Sequence, residues 1–149
     1  MKNYLIYFVV IVCLSGAFIS CSKETVHIIL SGNSADFVVA NKTTGKTVKN
    51  KGLQINLGSV GESLAVSAGD ELELVYTPKS EYQKYSWSID FTMFNSQTIT
   101  IKNKPYTHTF IVDDVVVGSY EIECRAVIND KDVESSGYEA GTVKINVVE

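Results

Sequence analysis

Side chains suited to acid–base or nucleophilic chemistry are scarce in this sequence. His27 and His108 are its only histidines, and both fall in stretches whose alternation predicts β-strands rather than loops. A nucleophile needs a nearby base and a group that orients the base, so two separated imidazoles make such a set hard to assemble. His108 shares a strand face with Tyr106 and Phe110, which favours a half-buried, hydrogen-bonded histidine. We therefore predict that the protein is not an enzyme.

Two groups of carboxylates carry oxygens of the kind that hard cations prefer. Residues 129–134 read Asn-Asp-Lys-Asp-Val-Glu, and Asp113 and Asp114 are adjacent. The first segment lacks the glycine of an EF-hand loop and has Lys131 in its middle, so a solvated loop is the favoured interpretation, with a turn at 113–114. A metal-assisted hydrolase using residues 113, 114, 130 and 132 is the least favoured function. We predict neither a metal nor a cofactor.

The thiols offer little chemistry either. Cys13 lies in an amino-terminal apolar stretch, Cys21 follows that stretch, and Cys124 stands alone in the rest of the chain. A lone cysteine cannot form an intramolecular disulfide. Because Cys124 lies on the apolar face of an alternating stretch, we predict a buried and unreactive thiol.

Residues 1–20 have the pattern of a secretory signal, with Lys2 in a short positive region, an apolar stretch over 4–14, and small residues before Cys21. Ser20-Cys21 resembles the lipobox of bacterial lipoproteins, although Phe18 and Ile19 depart from its commonest residues. The resemblance implies that the Cys21 thiol takes a diacylglycerol, that the signal is cut before it, and that the new amino terminus is acylated with palmitate. Two or three acyl chains anchor a protein stably to a membrane. The alternative is an ordinary thiol behind an ordinary cleavage site.

Residues 21–25 form a short tether, Cys-Ser-Lys-Glu-Thr. Its lysine and acid resemble the export signal that sends lipoproteins to the outer face of the outer membrane in a phylum of gut anaerobes, with Thr25 where a second acid is usual. The resemblance implies a surface-exposed, lipid-anchored protein of the cell outer membrane, with the periplasmic face as the alternative. Without the signal and its Lys2, 12 basic and 17 acidic residues remain, a net charge of −5, so nucleic acid is not an expected partner.

The elements that must position the candidate residues are β-strands. In residues 85–92 and 118–127 apolar and polar side chains alternate, and the first stretch contains Trp87 and the second Cys124. Both residues, with Tyr120 and Phe110, are predicted core positions. No window shows a convincing helical period. We predict an all-β, antiparallel β-sandwich as a single domain over 26–149, with amino-terminal strands in 26–60 and the core of the sandwich in 63–148.

Residues 63–148 resemble the immunoglobulin-like sandwiches, and among them most closely the PKD-type modules of secreted bacterial proteins. The segments that carry the resemblance are 68–76 as strand B, 85–87 as strand C, 106–112 as strand E, 118–120 at the start of strand F and 142–148 as strand G. The glycine-rich turn that usually follows the PKD tryptophan is missing after Trp87. The resemblance implies a spacer or binding scaffold in which Trp87 packs near Cys124.

Two tyrosines lie in predicted loops of this sandwich: Tyr82, within 79–84, and Tyr138, within 135–139. The B–C and F–G loops of such a fold lie at the same end, which would bring the two rings toward each other. Tyrosine rings can stack on sugars or serve as rigid contacts for a protein, so both are candidate ligand-binding residues. The alternative is that each ring lies over its own loop.

Three functions are compatible with these features. The leading hypothesis is a non-enzymatic cell-surface lipoprotein whose β-sandwich is a binding module for a glycan or a protein. The second is a structural or assembly subunit of an outer-membrane complex, which pairs with its partner through the cationic stretch Lys46 to Lys51 or through the final strand. The third is the metal-assisted hydrolase.

Overall fold

The computed structural model describes residues 25–32, 34–50 and 62–149, which form eleven β-strands and one 3-10 helix. The strands are β1 Val26–Leu30, β2 Asp36–Asn41, β3 Lys46–Lys49, β4 Ser63–Val66, β5 Glu71–Thr77, β6 Trp87–Thr92, β7 Thr98–Ile101, β8 Thr107–Ile111, β9 Gly118–Ile128, β10 Val133–Gly137 and β11 Glu139–Val147, and the 3-10 helix is Ser80–Tyr82. The predicted signal, Cys21 and the last part of the segment 26–60, in which amino-terminal strands were predicted, lie outside the described residues. Within those residues, no helix has the length and apolar character to cross a membrane.

The strands form two main sheets that pack face to face. One has the order β4-β11-β9-β6-β7, the other has the order β3-β2-β5-β8, and β1 pairs with β10 as a separate ribbon. Aromatic pairs join the two sheets: the rings of Phe37 and Phe91 lie 5.6 Å apart, and those of Tyr76 and Trp87 lie 5.5 Å apart. The predicted all-β sandwich is therefore confirmed.

Two strand pairs depart from the predicted antiparallel arrangement. β4 runs parallel to β11, and β1 runs parallel to β10. Parallel neighbours need a long connection between them, and here residues 67–138 lie between β4 and β11 and residues 31–132 lie between β1 and β10. Alternation within one strand says nothing about the direction of such a distant partner. The antiparallel prediction was wrong for these two pairs.

Alternation does account for the core. Trp87, Ile89 and Phe91 of β6 are buried, as are Cys124 and its neighbours on the same face of β9. Trp87 and Cys124 are each 1% exposed. β9 lies beside β6 in the same sheet, with Phe91 opposite Cys124. The structure therefore places both residues in the interior, as the alternation indicated.

Tyr120 and Phe110, predicted as core residues, are only half-buried. Phe110 belongs to β8, which ends its sheet, so neighbouring strands cover it from one side only. Tyr120 lies where β9 leaves the preceding corner, and its hydroxyl donates a hydrogen bond to the Val116 carbonyl at 2.7 Å. This is the bond of a tyrosine corner, which keeps the hydroxyl near solvent. The prediction that both side chains lie on the inward-facing side of their strands was right, but the prediction that they are fully buried was wrong.

A strand occupies part of the predicted loop between β9 and β11. Residues 133–137 form β10, and only 129–132 remain as a turn. β10 is polar and lacks apolar alternation, and its partner β1 lies a hundred residues away in sequence, so local pattern could not reveal it. β11 lies between β4 and β9 and has no free edge, which contradicts the prediction that the final strand pairs with a partner. β3, with Lys46 and Lys49, does lie at an edge.

Among the described residues, two carboxyl groups are buried, those of Asp70 and Glu139. Glu139 is buried, and its Oε2 accepts a hydrogen bond of 2.8 Å from the Tyr76 hydroxyl. Its Oε1 lies 3.6 Å from the Nζ of Lys79 in the loop before the 3-10 helix. Burial, together with the hydrogen bond to Glu139, raises the pKa of Tyr76. Glu139 therefore ties β5 and the loop after it to the start of β11.

Candidate functional site

The outer face of the five-stranded sheet carries two adjacent rows of polar side chains, which we call the Arg125 face. The register pairs Asp90 of β6 with Arg125 of β9, and Thr92 with Glu123 in the next row. These side chains point outward because the residues between them fill the core. The rows extend onto the neighbouring strands through Thr98 and Thr100 of β7 and Thr142 of β11.

The hydroxyl and carboxylate groups of this face are already partly joined. The Thr100 hydroxyl donates to Oδ1 of Asp90 at 2.6 Å, and the hydroxyls of Thr92 and Thr98 lie 3.1 Å apart. The face surrounds an open depression of about 460 Å³. Residues 140–142 and Tyr138 also line it. The groups in it can both donate and accept hydrogen bonds.

An aromatic ring stands at one side of the depression. The guanidinium carbon of Arg125 lies 4.3 Å from the centre of the Tyr138 ring, which is a cation–π distance. The Tyr138 side chain keeps 41% of its surface exposed. The guanidinium is planar and carries five donors, so stacking on the ring holds it in place while leaving donors for a ligand.

A glycine sets the position of Tyr138. Gly137 ends β10 with a φ of 79°, a conformation that L side chains rarely adopt. A Cβ atom at this position would lie 2.3 Å from the carbonyl oxygen of Leu30, its partner in β1. Only glycine can make this turn against β1, and the turn delivers the next residue, Tyr138, beside Arg125.

The thiol of Cys124 and the two imidazoles do not come together on the Arg125 face as a nucleophile with its base. Cys124 lines the depression but lies on the inward register, and burial, reinforced by the charge of Glu139, raises the pKa of its thiol. His27 lies elsewhere, with its Nδ1 2.9 Å from a carboxylate oxygen of Glu134. His108 stacks on Phe110 and its Nε2 is buried without a hydrogen-bond partner among the described residues, so the predicted hydrogen bond was wrong.

Tyr82 and Tyr138 pack against different surroundings. Tyr82 ends the 3-10 helix, its ring packs against the core, and its carbonyl accepts a 3.1 Å hydrogen bond from Nε1 of Trp87. No contact between the two rings is present in the described part of the chain. A second depression, of about 750 Å³, lies at the end of the sandwich near β1, and its aromatic residue is Tyr85. Tyr82 thus supports the core, whereas Tyr138 faces solvent.

The candidate metal-binding carboxylates are divided between two places. Asp130 and Asp132 line the depression near β1, whereas Asp113 and Asp114 line another at the start of the corner after β8. Asp130 accepts hydrogen bonds from the backbone N–H groups of Asp132 and Ser86, and these bonds lower its pKa. In residues 25–32, 34–50 and 62–149, no group of three His, Cys, Asp or Glu side chains is placed to hold a metal.

Arg125, Asp90 and the threonines around them were not among the predicted site residues. Alternation alone puts each of these residues on the polar face of its strand, which is a usable signal. It does not indicate which polar residues of separate strands lie side by side. That information is in the strand register, which depends on contacts across the whole chain.

Comparison with known proteins gives distant similarities. No protein-family model matches the chain, and no curated protein matches it. A CBM33 protein of Bacillus amyloliquefaciens, solved in complex with Cu(I) after photoreduction, is similar with a TM-score of 0.40 and 13% identity, over 67% of this chain and 64% of that one. A chitin binding domain from Burkholderia pseudomallei has a TM-score of 0.34 and 11% identity, over 59% and 58%. Each match therefore spans less than two thirds of the length of the solved protein.

Proposed function

We propose that the protein is a non-enzymatic, lipid-anchored cell-surface protein that binds a glycan on the Arg125 face. The observation that carries the proposal is the guanidinium of Arg125 stacked on the exposed ring of Tyr138 at the side of an open polar depression. A ring with an amphipathic surface beside fixed donors and acceptors suits a ligand that has both apolar ring faces and many hydroxyls.

The polar groups of the face match a neutral polyol better than a charged ligand. Asp90 and Glu123 accept hydrogen bonds, Arg125 donates them, and the threonine hydroxyls do both. Arg125 lies opposite Asp90 in one row and Glu123 lies in the next row, so the charges of these three side chains sum to −1 and an anion gains little from the face as a whole. A protein ligand is the alternative, and it would use Tyr138 as a rigid contact.

The anchored state is part of this proposal and follows from the lipobox resemblance at Cys21. β1 begins at Val26, five residues after Cys21. Five residues span at most about 18 Å when fully extended. A lipid on Cys21 would therefore hold the end of the sandwich near β1 close to the membrane and leave the sheet faces to the side. The outer face of the outer membrane is the proposed location.

We also propose that the sandwich is immunoglobulin-like. Strands B and E, which are β5 and β8, pair in one sheet, and strands C, F and G, which are β6, β9 and β11, are neighbours in the other. This division of strands is that of the immunoglobulin fold. Membership among PKD-type modules stays a prediction.

A glycan array tests the binding site. The full-length lipoprotein in detergent micelles should bind a subset of glycans, and Tyr138→Ala should weaken that binding by up to about tenfold, because a stacked ring contributes about 0.5–1.5 kcal/mol. Tyr82→Ala is the matched control: the ring lies off the Arg125 face, so glycan affinity should stay within twofold if the protein remains folded. The double variant should resemble Tyr138→Ala. Unchanged binding by Tyr138→Ala, or an equal loss in Tyr82→Ala, would remove the site.

A further inference from the structure

The two flanks of the sandwich differ in chemistry. On one flank the sheets end in β3 and β4, and β3 carries the exposed lysines Lys46 and Lys49. Lysines on an edge strand discourage other chains from pairing with it. On the other flank the sheets end in β7 and β8, which contain no charged residue. β3 therefore has this protection, whereas β7 and β8 lack it.

The backbone of β8 offers unpaired hydrogen-bonding groups to solvent. The Tyr76 N–H donates to the Tyr106 carbonyl at 3.0 Å, and the Val112 N–H donates to the Asp70 carbonyl at 2.8 Å. Because the pattern of an antiparallel pair repeats every two residues, His108 and Phe110 also direct their backbone groups toward β5. Thr109 and Ile111 direct theirs to the open side, and β8 has no second neighbour among the described strands.

Apolar side chains lie beside this open edge. The ring of Phe94, in the loop after β6, lies 5.8 Å from that of Phe110, and both rings are half-buried. Ile111 is 56% exposed and Val116, in the next loop, is 76% exposed. A depression of about 380 Å³ separates the loop after β6 from the end of β8. Aliphatic groups of this kind cannot bond sugar hydroxyls, so the surface suits protein side chains better than a glycan.

The charged side chains at the carboxyl-terminal end of β8 are both acidic. Asp113 and Asp114 are exposed and follow β8 after one residue, Val112. Both line the same depression as Phe94 and Phe110. Two neighbouring carboxylates attract a cationic group and disfavour an acidic one.

We propose that the open edge of β8 is a docking site for an extended segment of a partner protein. The segment adds to the four-stranded sheet as a fifth strand through Thr109 and Ile111. It places an apolar side chain against Phe94 and Phe110 and a lysine or arginine beside Asp113 and Asp114. Strand addition derives affinity from main-chain hydrogen bonds and specificity from alternate side chains. This site lies on a different sheet from the Arg125 face and does not depend on glycan binding.

A synthetic peptide of alternating valine and threonine with a lysine at each end is a suitable probe. It is titrated into the isotope-labelled full-length protein in detergent micelles and followed by amide chemical shifts. The decisive variant is Thr109→Pro, which removes an outward N–H without breaking a bond to β5. Thr47→Pro is the matched control: the Asn50 N–H donates to the Phe37 carbonyl, so by the same period Thr47 directs its backbone outward from β3.

The expected result is a set of shift changes confined to residues 107–117 and the loop after β6. Thr109→Pro should weaken binding at least tenfold, Thr47→Pro should leave it within twofold, and a peptide with glutamates in place of both lysines should bind at least threefold more weakly. Circular dichroism checks that both proline variants are folded. The proposal is overturned if the valine–threonine peptide fails to bind at millimolar concentration, if Thr109→Pro binds it as well as the unmodified protein, or if a peptide with N-methylated backbone binds equally. Concentration-dependent dimerisation that Thr109→Pro abolishes would also overturn it, because the occupant would then be a second copy.

Discussion

Replacing Gly137 by alanine should destabilise the protein more than any other glycine substitution at a comparable backbone angle. Two costs combine there. A non-glycine residue in left-handed conformation costs about 1–2 kcal/mol. In addition, the new Cβ would lie 2.3 Å from the Leu30 carbonyl oxygen, too close to be accommodated without moving one of the two strands.

The free-energy cost of moving a strand away from the new Cβ atom can be derived from the interactions that the movement breaks. Leu30 and Gly137 are the last pair of the β1–β10 ribbon, and the Leu30 side chain is buried. Separating the pair removes a backbone hydrogen bond, worth about 1 kcal/mol, and partly exposes a leucine whose full burial is worth about 1.5–3 kcal/mol. The total for Gly137→Ala is therefore about 3–5 kcal/mol.

Gly69→Ala is the control for the first cost alone. Gly69 has a φ of 89°, and a Cβ there would meet no atom within 4 Å. Equilibrium unfolding in urea should show a loss of about 1–2 kcal/mol for Gly69→Ala and at least about 2 kcal/mol more for Gly137→Ala. Equal losses of unfolding free energy in the two variants would show that β1 can move away from position 137 without cost. The close approach to the Leu30 carbonyl oxygen would then make no contribution to the loss. Gly137→Ala should also lower glycan affinity, since it displaces Tyr138.

Two further predictions concern the cysteines. The Cys124 thiol ionises in the unfolded chain near its ordinary pKa of 9.0, whereas burial raises its pKa in the folded protein, so stability that is present below pH 9 is lost above it. In urea unfolding, the stability difference between the unmodified protein and Cys124→Ala should therefore shrink by about 1.4 kcal/mol between pH 8 and pH 10. A difference that stays constant over this range would contradict the burial of the thiol. Cys21→Ser should abolish incorporation of a palmitate analogue and release the protein from membranes, whereas Cys124→Ala should still incorporate it; labelling of Cys21→Ser would refute the anchor.

Strand positions were largely predictable because half-buried strands leave a period of two in the sequence. Trp87 and Cys124 show this well: each lies among alternating neighbours, and each is inside the sandwich. Full burial was less predictable, as Phe110 shows, because it depends on whether a strand is central or at an edge. The polar strand β10 left no periodic signal of its own.

The candidate site was predicted only in part. Tyr138 was identified because it lies in a predicted loop and its ring can stack on a sugar or contact a protein, but its neighbour Arg125 was assigned no role. Their contact depends on the bend at Gly137 and on the pairing of that glycine with Leu30. Residues distant in the chain create that geometry, so no local pattern could have indicated it.

The parallel pairing of β1 with β10 has a mechanical consequence. Tension transmitted from the proposed anchor would pull β1 along its own axis, starting at Val26, while the rest of the domain resisted through β10. Hydrogen bonds between strands run across that direction, so the five residue pairs would be loaded together in shear rather than peeled apart one after another. The β1–β10 ribbon would thus resist unfolding of the sandwich when a force acts between the membrane anchor and a bound ligand.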